Sequence, residues 1–318
     1  MKSSRNLVRA GTRASKLAIA QTQLVLGALK AAHPETEFEV VTITTKGDKD
    51  RASSVAAIGV GVWVRELEAA LAEGRIDLAV HSAKDLPTAI AGQFKIAAVL
   101  EREDPRDALV SRHARGLAGL PPGARVATGS ARRRAMLLSQ RPDLRIEPLR
   151  GNVDTRLTKL HAAGGPDAII LAAAGLARLG LSSDISETLD PAVFVPAVGQ
   201  GALAIEIRED DTATSRLTRA LEHRPSRQAV EAERAFLHAT GGGCSAPVAA
   251  YATIEGRRLT LNAFASDPDG KRVLRHTAEG DAAQAAAIGR NAAKALLRQG
   301  AAELLSGGAQ PGAGGGDE

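Results

Sequence analysis

The chain has 318 residues, of which 44% are hydrophobic and 24% charged, with a net charge of +5. That length and balance describe a globular chain of about two or three domains with real cores, and exclude a disordered or fibrous one. A single cysteine excludes an intrachain disulfide and a thiolate zinc site; no apolar run is long enough to span a bilayer; and the N-terminus has no signal-peptide core, so the expected location is the reducing cytoplasm.

In chain order, residues 7–10 read as a short strand. Residues 15–32 read as an amphipathic helix with Leu17, Ala20, Leu24 and Ala28 at helical spacing, stopped by Pro34. A strand follows at 38–44, with Phe38, Val40 and Thr42 on one face. Then come a helix at 62–72 and a buried strand at 76–80. The βαβ rhythm implies an α/β sheet with parallel strands. It restarts after Pro105: strand 125–128, helix 131–140, strand 145–148, helix 153–162, strand 167–172 and a short helix at 173–179. After an interruption at 194–200, strand 202–207 and helix 212–222 follow. From Ser226 the pattern becomes α+β: a helix at 228–238, strands at 248–254, 259–265 and 272–277, and one long Ala-rich helix at 282–305. The Gly-rich stretch 307–318 reads as a disordered tail.

Five clusters carry chemistry. His81-Ser82-Ala83-Lys84-Asp85-Leu86-Pro87 follows a strand, where open α/β sheets bind ligands. Asp85 suits a general acid or base, or the counter-ion of a cationic intermediate; the plainer reading is a polar turn. Residues 125–156 hold eight arginines and three acids. Thr128, Gly129 and Ser130 precede Arg132 and Arg133 at a helix start, and Arg150 with Asn152 precedes Arg156 at the next. Helix N-termini attract anions, and arginine grips carboxylates with two donors, so the pattern suggests a polycarboxylate ligand. For a single arginine the plainer reading is a solvated face. With only 2% aromatic residues there is little to stack on bases, which argues against nucleic acid. Ser15 reads as a helix cap beside Arg13. The glycine-flanked loop 47–61 reads as a lid, and residues 196–201 as a hinge crossing. Cys244 lies in Gly241-Gly242-Gly243-Cys244-Ser245-Ala246-Pro247, a flexible loop that suits covalent attachment; a lone cysteine more commonly fills an apolar gap. No metal-ligand pattern, P-loop or dinucleotide fingerprint is present.

Together these motifs resemble the porphobilinogen deaminase family. The stretches 11–15, 81–87, 103–108, 128–134, 150–157, 167–179, 196–202 and 241–247 match in the family's order, to about residue 305. The resemblance implies two periplasmic-binding-protein-like α/β domains, 1–101 with 201–220 and 102–200. A C-terminal α+β domain, 221–306, has a three-stranded sheet with helices. It implies head-to-tail joining of four porphobilinogen units to hydroxymethylbilane, with release of ammonia, in tetrapyrrole synthesis. The cofactor implied is dipyrromethane, held by a thioether to Cys244. Asp85 matches the catalytic carboxylate. Arg13, Ser15, Ser82, Lys84, Thr128, Ser130, Arg132, Arg133, Arg150, Arg156 and Arg178 match residues that bind the carboxylate-bearing cofactor and substrate. No metal, nucleic acid or membrane partner is implied, and a monomer is usual. The chain departs from the family pattern at Val60, at Trp63 (an aromatic lid face in place of Phe), at Lys16 and at Asp154. A non-catalytic solute-binding protein of the same two-domain build is the alternative, and a catalytically dead scaffold a third reading.

Overall fold

The computed structural model describes residues 7–44, 64–113, 116–243 and 246–306. Val60, Trp63, the loop 47–61, Cys244 and the tail 307–318 lie outside the described residues.

The first sheet has the order β2-β1-β3-β10-β4. Its strands are β1 (Leu7–Arg13), β2 (Glu37–Ile43), β3 (Leu78–Ser82), β4 (Phe94–Val99) and β10 (Leu203–Arg208). β1 lies parallel to β2 and β3, while β10 runs antiparallel between β3 and β4. The parallel strands that the βαβ rhythm implied are β1, β2 and β3, and the sheet is mixed because the chain returns to it as β10 from the opposite direction. α1 (Lys16–Ala32) and α2 (Arg65–Ala72) cover it. Ser15 caps α1 by accepting from the Ala18 N–H. The buried face of α1 is Gln21, Thr22, Val25, Leu26 and Leu29. Leu24, expected on that face, is 49% exposed.

The second sheet has the order β7-β6-β8-β5-β9. Its strands are β5 (Asp107–Ser111), β6 (Arg125–Ala127), β7 (Arg145–Glu147), β8 (Ala168–Ala172) and β9 (Glu187–Thr188); α3 (Ala131–Gln140), α4 (Val153–His161) and α5 (Ala173–Arg178) accompany them. After β10 comes α6 (Thr212–Thr218). The C-terminal unit packs α7 (Arg224–Thr240) and α8 (Ala285–Arg298) on an antiparallel sheet of β11 (Val248–Glu255), β12 (Arg258–Ser266) and β13 (Val273–Asp281). The single long helix expected at the C-terminus is two helices, α8 and α9 (Ala301–Ser306), broken at Gly300 with φ 96°.

The chain crosses between the two large sheets twice, near residues 100–106 and 189–202, and the crossings are tied together. Gly201 accepts from the Glu103 N–H at 3.3 Å, and Ala202 accepts from the Ala83 N–H at 3.0 Å. Gly199 and Gly201 have φ of 70° and 88°. A Cβ at Gly201 would meet the Glu103 carbonyl oxygen at 2.3 Å, so no other residue fits this approach.

Glu233 of α7 is fully buried and braces both crossings. Its Oε1 accepts from Arg102 Nη1 at 2.5 Å and from the Ala252 N–H of β11 at 2.8 Å. Its Oε2 accepts from the Gly199 N–H at 2.7 Å. Arg102 also donates to the Gln200 carbonyl and sits 5.0 Å from the centroid of the Tyr251 ring. Cutting one partner of a buried ion pair strands the other, at a cost of about 3–5 kcal/mol. Glu233→Ala is expected to lower unfolding stability by that order, read from the urea midpoint, whereas Arg102→Met with Glu233→Leu should recover most of the loss.

Candidate functional site

The carboxyl ends of β1 and β3 supply the first half of the site. Extension of β1 through Arg13 brings that residue to the sheet edge, where Arg13, Ser15, Gln21, His81, Ser82 and Asp85 line one pocket. Asp85 ends a single 3₁₀ turn, 83–85, directly after β3. The Ser82 hydroxyl is paired with the Gln21 amide, which donates at 2.9 Å and accepts at 3.2 Å. Beneath the turn, His81 Nε2 lies 2.9 Å from Glu206 Oε2 of β10, both side chains buried.

The second half comes from the helix starts after β6 and β7. Ser130 caps α3, accepting from the Arg133 N–H at 3.4 Å, and Thr128 Oγ1 accepts from the Ser130 N–H at 3.3 Å. Arg156 Nε donates to the Gly151 carbonyl at 2.8 Å.

The two halves meet at Lys84 and Asp85. Burial pulls the Lys84 ammonium down to about 8, helped by repulsion from Arg133 and Arg156 and opposed by Asp85 and Asp107. Burial likewise brings Arg156 down to about 10, with Arg133 repelling it and Asp85 attracting it. Asp85, from the first sheet, thus sits within electrostatic reach of cations on both sheets, and the balance around it is positive. Such a site favours an anionic occupant with several charges, since an anion stabilises the charged forms that burial penalises.

Arg132 and Arg133 are placed differently from the expectation that both face a ligand. They are 4% and 6% exposed and converge on Asp107, the first residue of β5. Arg132 donates to Asp107 Oδ2 at 2.7 Å and to the Val195 carbonyl at 2.8 Å. Arg133 donates to Asp107 Oδ1 at 2.8 Å and to the Ile170 carbonyl at 2.8 Å. Burial alone would raise the Asp107 carboxyl, but the two guanidiniums outweigh it and hold it well below the usual range. Gln200 completes the knot: its Nε2 donates to Asp107 at 2.9 Å, and its Oε1 accepts from Lys84 and Arg133, each at 3.4 Å. Arg178 Nη2 donates to the Gly201 carbonyl at 2.6 Å and so also serves the crossing. Asp154 lies 3.3 Å from Lys16 of α1, so two of the departures from the family pattern meet as an ion pair between the units. Arg134 pairs with Asp269 at 2.8 Å, joining α3 to the C-terminal unit.

Gln21, Asp107, Gln200 and Glu206 were not singled out by their own sequence context. Gln21 had a usable signal, a polar residue within a helix's buried face; Asp107 ends the charged stretch 103–107, Gln200 lies in the crossing 196–201 and Glu206 in an apolar strand, and the partners of all three are distant in sequence. Among the described residues, no group of three or more His, Cys, Asp or Glu is arranged to hold a metal, and no helix is long and apolar enough to cross a membrane.

Two family models match the chain. "Porphobilinogen deaminase, dipyromethane cofactor binding domain" covers residues 8–216, and "Porphobilinogen deaminase, C-terminal domain" covers residues 227–298. A porphobilinogen deaminase of Thermus thermophilus is 48% identical over 301 residues, 94% of this chain and 98% of the relative. That of a Roseiflexus species is 50% identical over 298 residues, 93% of this chain and 98% of the relative. Among solved structures, the methionine binding protein MetQ overlaps 69% of this chain and 91% of its own, at 16% identity and a TM-score of 0.43.

The depressed Lys84 sets a pH dependence. An amine whose native value lies below its unfolded value costs stability while it is held charged. That cost is full below about 8 and fades as pH rises toward the ordinary lysine value of 10.5. Lys84→Met is therefore expected to stabilise the ligand-free chain at pH 7 by about 1–3 kcal/mol, in urea titrations, and to give no gain near pH 10.5.

Proposed function

This chain belongs to the porphobilinogen deaminase family, and from that premise we propose that the turn Lys84–Asp85, with the cations facing it, is where its reaction takes place. The protein is a hydroxymethylbilane synthase, a transferase of tetrapyrrole biosynthesis that acts on porphobilinogen and binds dipyrromethane. The observation that carries the proposal is the position of Asp85: one carboxylate from the first sheet, coupled to Lys84 beside it and to Arg156 across the cleft.

Each porphobilinogen unit carries an acetate and a propionate. Joining two units breaks the aminomethyl C–N bond, releases ammonia, forms a C–C bond at a pyrrole α-carbon and expels that carbon's proton. Loss of ammonia leaves a methylene-pyrrolenine cation whose charge is shared with the ring N–H. The Asp85 carboxylate accepts a hydrogen bond from that N–H, stabilises the cation as it forms, and assists removal of the α-proton. Arg13, Lys84, Arg150 and Arg156 hold the carboxylates, with Ser15 and Ser82 at the pocket wall. Arg132 and Arg133, committed to Asp107, set the shape and charge of the cleft floor. Thr128 and Ser130 shape the helix start beside it, and Arg178 holds the crossing.

The positive excess at Lys84 and Arg156 suits the four carboxylates of dipyrromethane, so the residues present fit that group. When bound, it supplies the free pyrrole α-carbon to which the first unit is joined. Its attachment point is read as Cys244, on the loop that follows α7, and Trp63 as the lid's stacking face. The division into units 1–101 with 201–220, 102–200 and 221–306, a cytoplasmic location and a monomeric state belong to the same proposal.

Asp85→Asn keeps the shape of the side chain and removes its charge. The fold should stay intact by circular dichroism, and the initial rate of hydroxymethylbilane formation should fall at least about 100-fold; a rate near that of the parent would reject the role.

A further inference from the structure

The catalytic turn is gripped from a direction that the reaction itself does not call on. Arg234 of α7 sends Nη2 to the Pro87 carbonyl at 2.6 Å and to the Thr88 carbonyl at 3.1 Å. These carbonyls lie at the exit of the turn that contains Asp85. Pro87 has no N–H, so this stretch of backbone is anchored through its oxygens. Guanidinium-to-carbonyl bonds are charge-assisted and directional.

At the entry of the same turn, His81 is held by Glu206. Glu206 is fully buried, and its second oxygen has no hydrogen-bond partner among the described residues. That carboxylate faces Arg234 electrostatically and favours its charged form, against the burial that disfavours it. The two grips on the turn are therefore within electrostatic reach of each other. One belongs to the first sheet, and the other reaches in from the C-terminal unit.

α7 has a further role at each end of this contact. The residue before Arg234 is Glu233, which fixes the hinge through Gly199. Seven residues beyond Arg234, α7 ends at Gly241 in a left-handed conformation with φ 66°, and the loop containing Cys244 begins. Seven helical residues span about 10 Å of rigid rod. One helix thus carries the hinge brace, the clamp on the turn and the base of the loop.

We propose that Arg234 is a positioning residue, which locks the turn bearing Asp85 to the helix that bears the cofactor loop, so that the acid and the tethered chain keep a fixed spacing. The inference rests on the reading of Asp85 as the catalytic carboxylate. A displacement of about 1 Å at a reacting centre costs on the order of 100-fold in rate, so a clamp of this kind shows in kcat.

The test compares Arg234→Gln, Arg234→Lys and Asp85→Asn in the full cofactor-bearing chain. For Arg234→Gln, kcat is expected to fall about 10- to 100-fold with KM within about threefold of the parent. The intact mass should keep the parent's cofactor increment. Arg234→Lys, which keeps the charge toward Glu206 but not the fixed guanidinium geometry toward the two carbonyls, is expected to lose only about three- to fivefold in kcat. A parental kcat in Arg234→Gln, or a glutamine and a lysine variant that are equally impaired, overturns the proposal. If Arg234→Gln does not fold, Arg234→Lys decides: a threefold or larger loss in kcat at unchanged KM supports the clamp, and a parental kcat overturns it. With Asp85→Asn inactive and Arg234→Gln fully active, the clamp fails while the catalytic reading stands; with Asp85→Asn active, that reading itself fails.

Discussion

The cleft depends on one buried carboxylate, Glu233. The two large sheets are joined by two crossings of the chain, and the two halves of the site come one from each. Glu233 accepts from Arg102 on the outgoing crossing, from the Gly199 N–H on the return crossing and from the Ala252 N–H of the C-terminal sheet. A buried carboxylate with this many donors is satisfied only in one arrangement of all three units. With the Gln200 contacts to Lys84 and Asp107 and the Lys16–Asp154 pair, it holds Asp85 on one sheet opposite Arg156 on the other.

A second carboxylate, Asp107, governs the charge of the cleft. It takes up Arg132 and Arg133 and one donor of Gln200. What remains toward the ligand is a smaller and more selective set than the eight arginines of residues 125–156 suggest. Burial, with the repulsion that remains among these cations, still depresses Lys84 to about 8 and Arg156 to about 10. The chain therefore holds a costly cluster of positive charge, which under the proposed function a bound polycarboxylate relieves. Stability spent at the site is returned as affinity.

Much of this was legible in the sequence because it is written locally. The turn 81–87, the capping serines Ser15 and Ser130 and the βα rhythm are each contained within a few residues, and helix α3 falls on its expected bounds. What escaped depends on distance. Arg132 reads as a ligand-facing residue at a helix start until Asp107, 25 residues earlier, is seen beside it. The antiparallel placement of β10 follows from the return crossing, which no local pattern encodes. Leu24 sits on the exposed side of α1 because the buried face runs through Gln21, Thr22, Val25, Leu26 and Leu29, and Gln21 reaches the site from it. The break at Gly300 was in plain view, a glycine in an otherwise helical run, and the alanines on both sides concealed it.

The central claim is that this cation-lined cleft works on a polycarboxylate that the protein holds covalently. The measurement that tests it most directly is the intact mass of the purified chain from a porphobilinogen-producing host, beside that of Cys244→Ala. The account predicts a parent heavier than its polypeptide by two porphobilinogen-derived units and a variant at the bare polypeptide mass. A parent at the bare mass, or a variant that retains the increment, would contradict it.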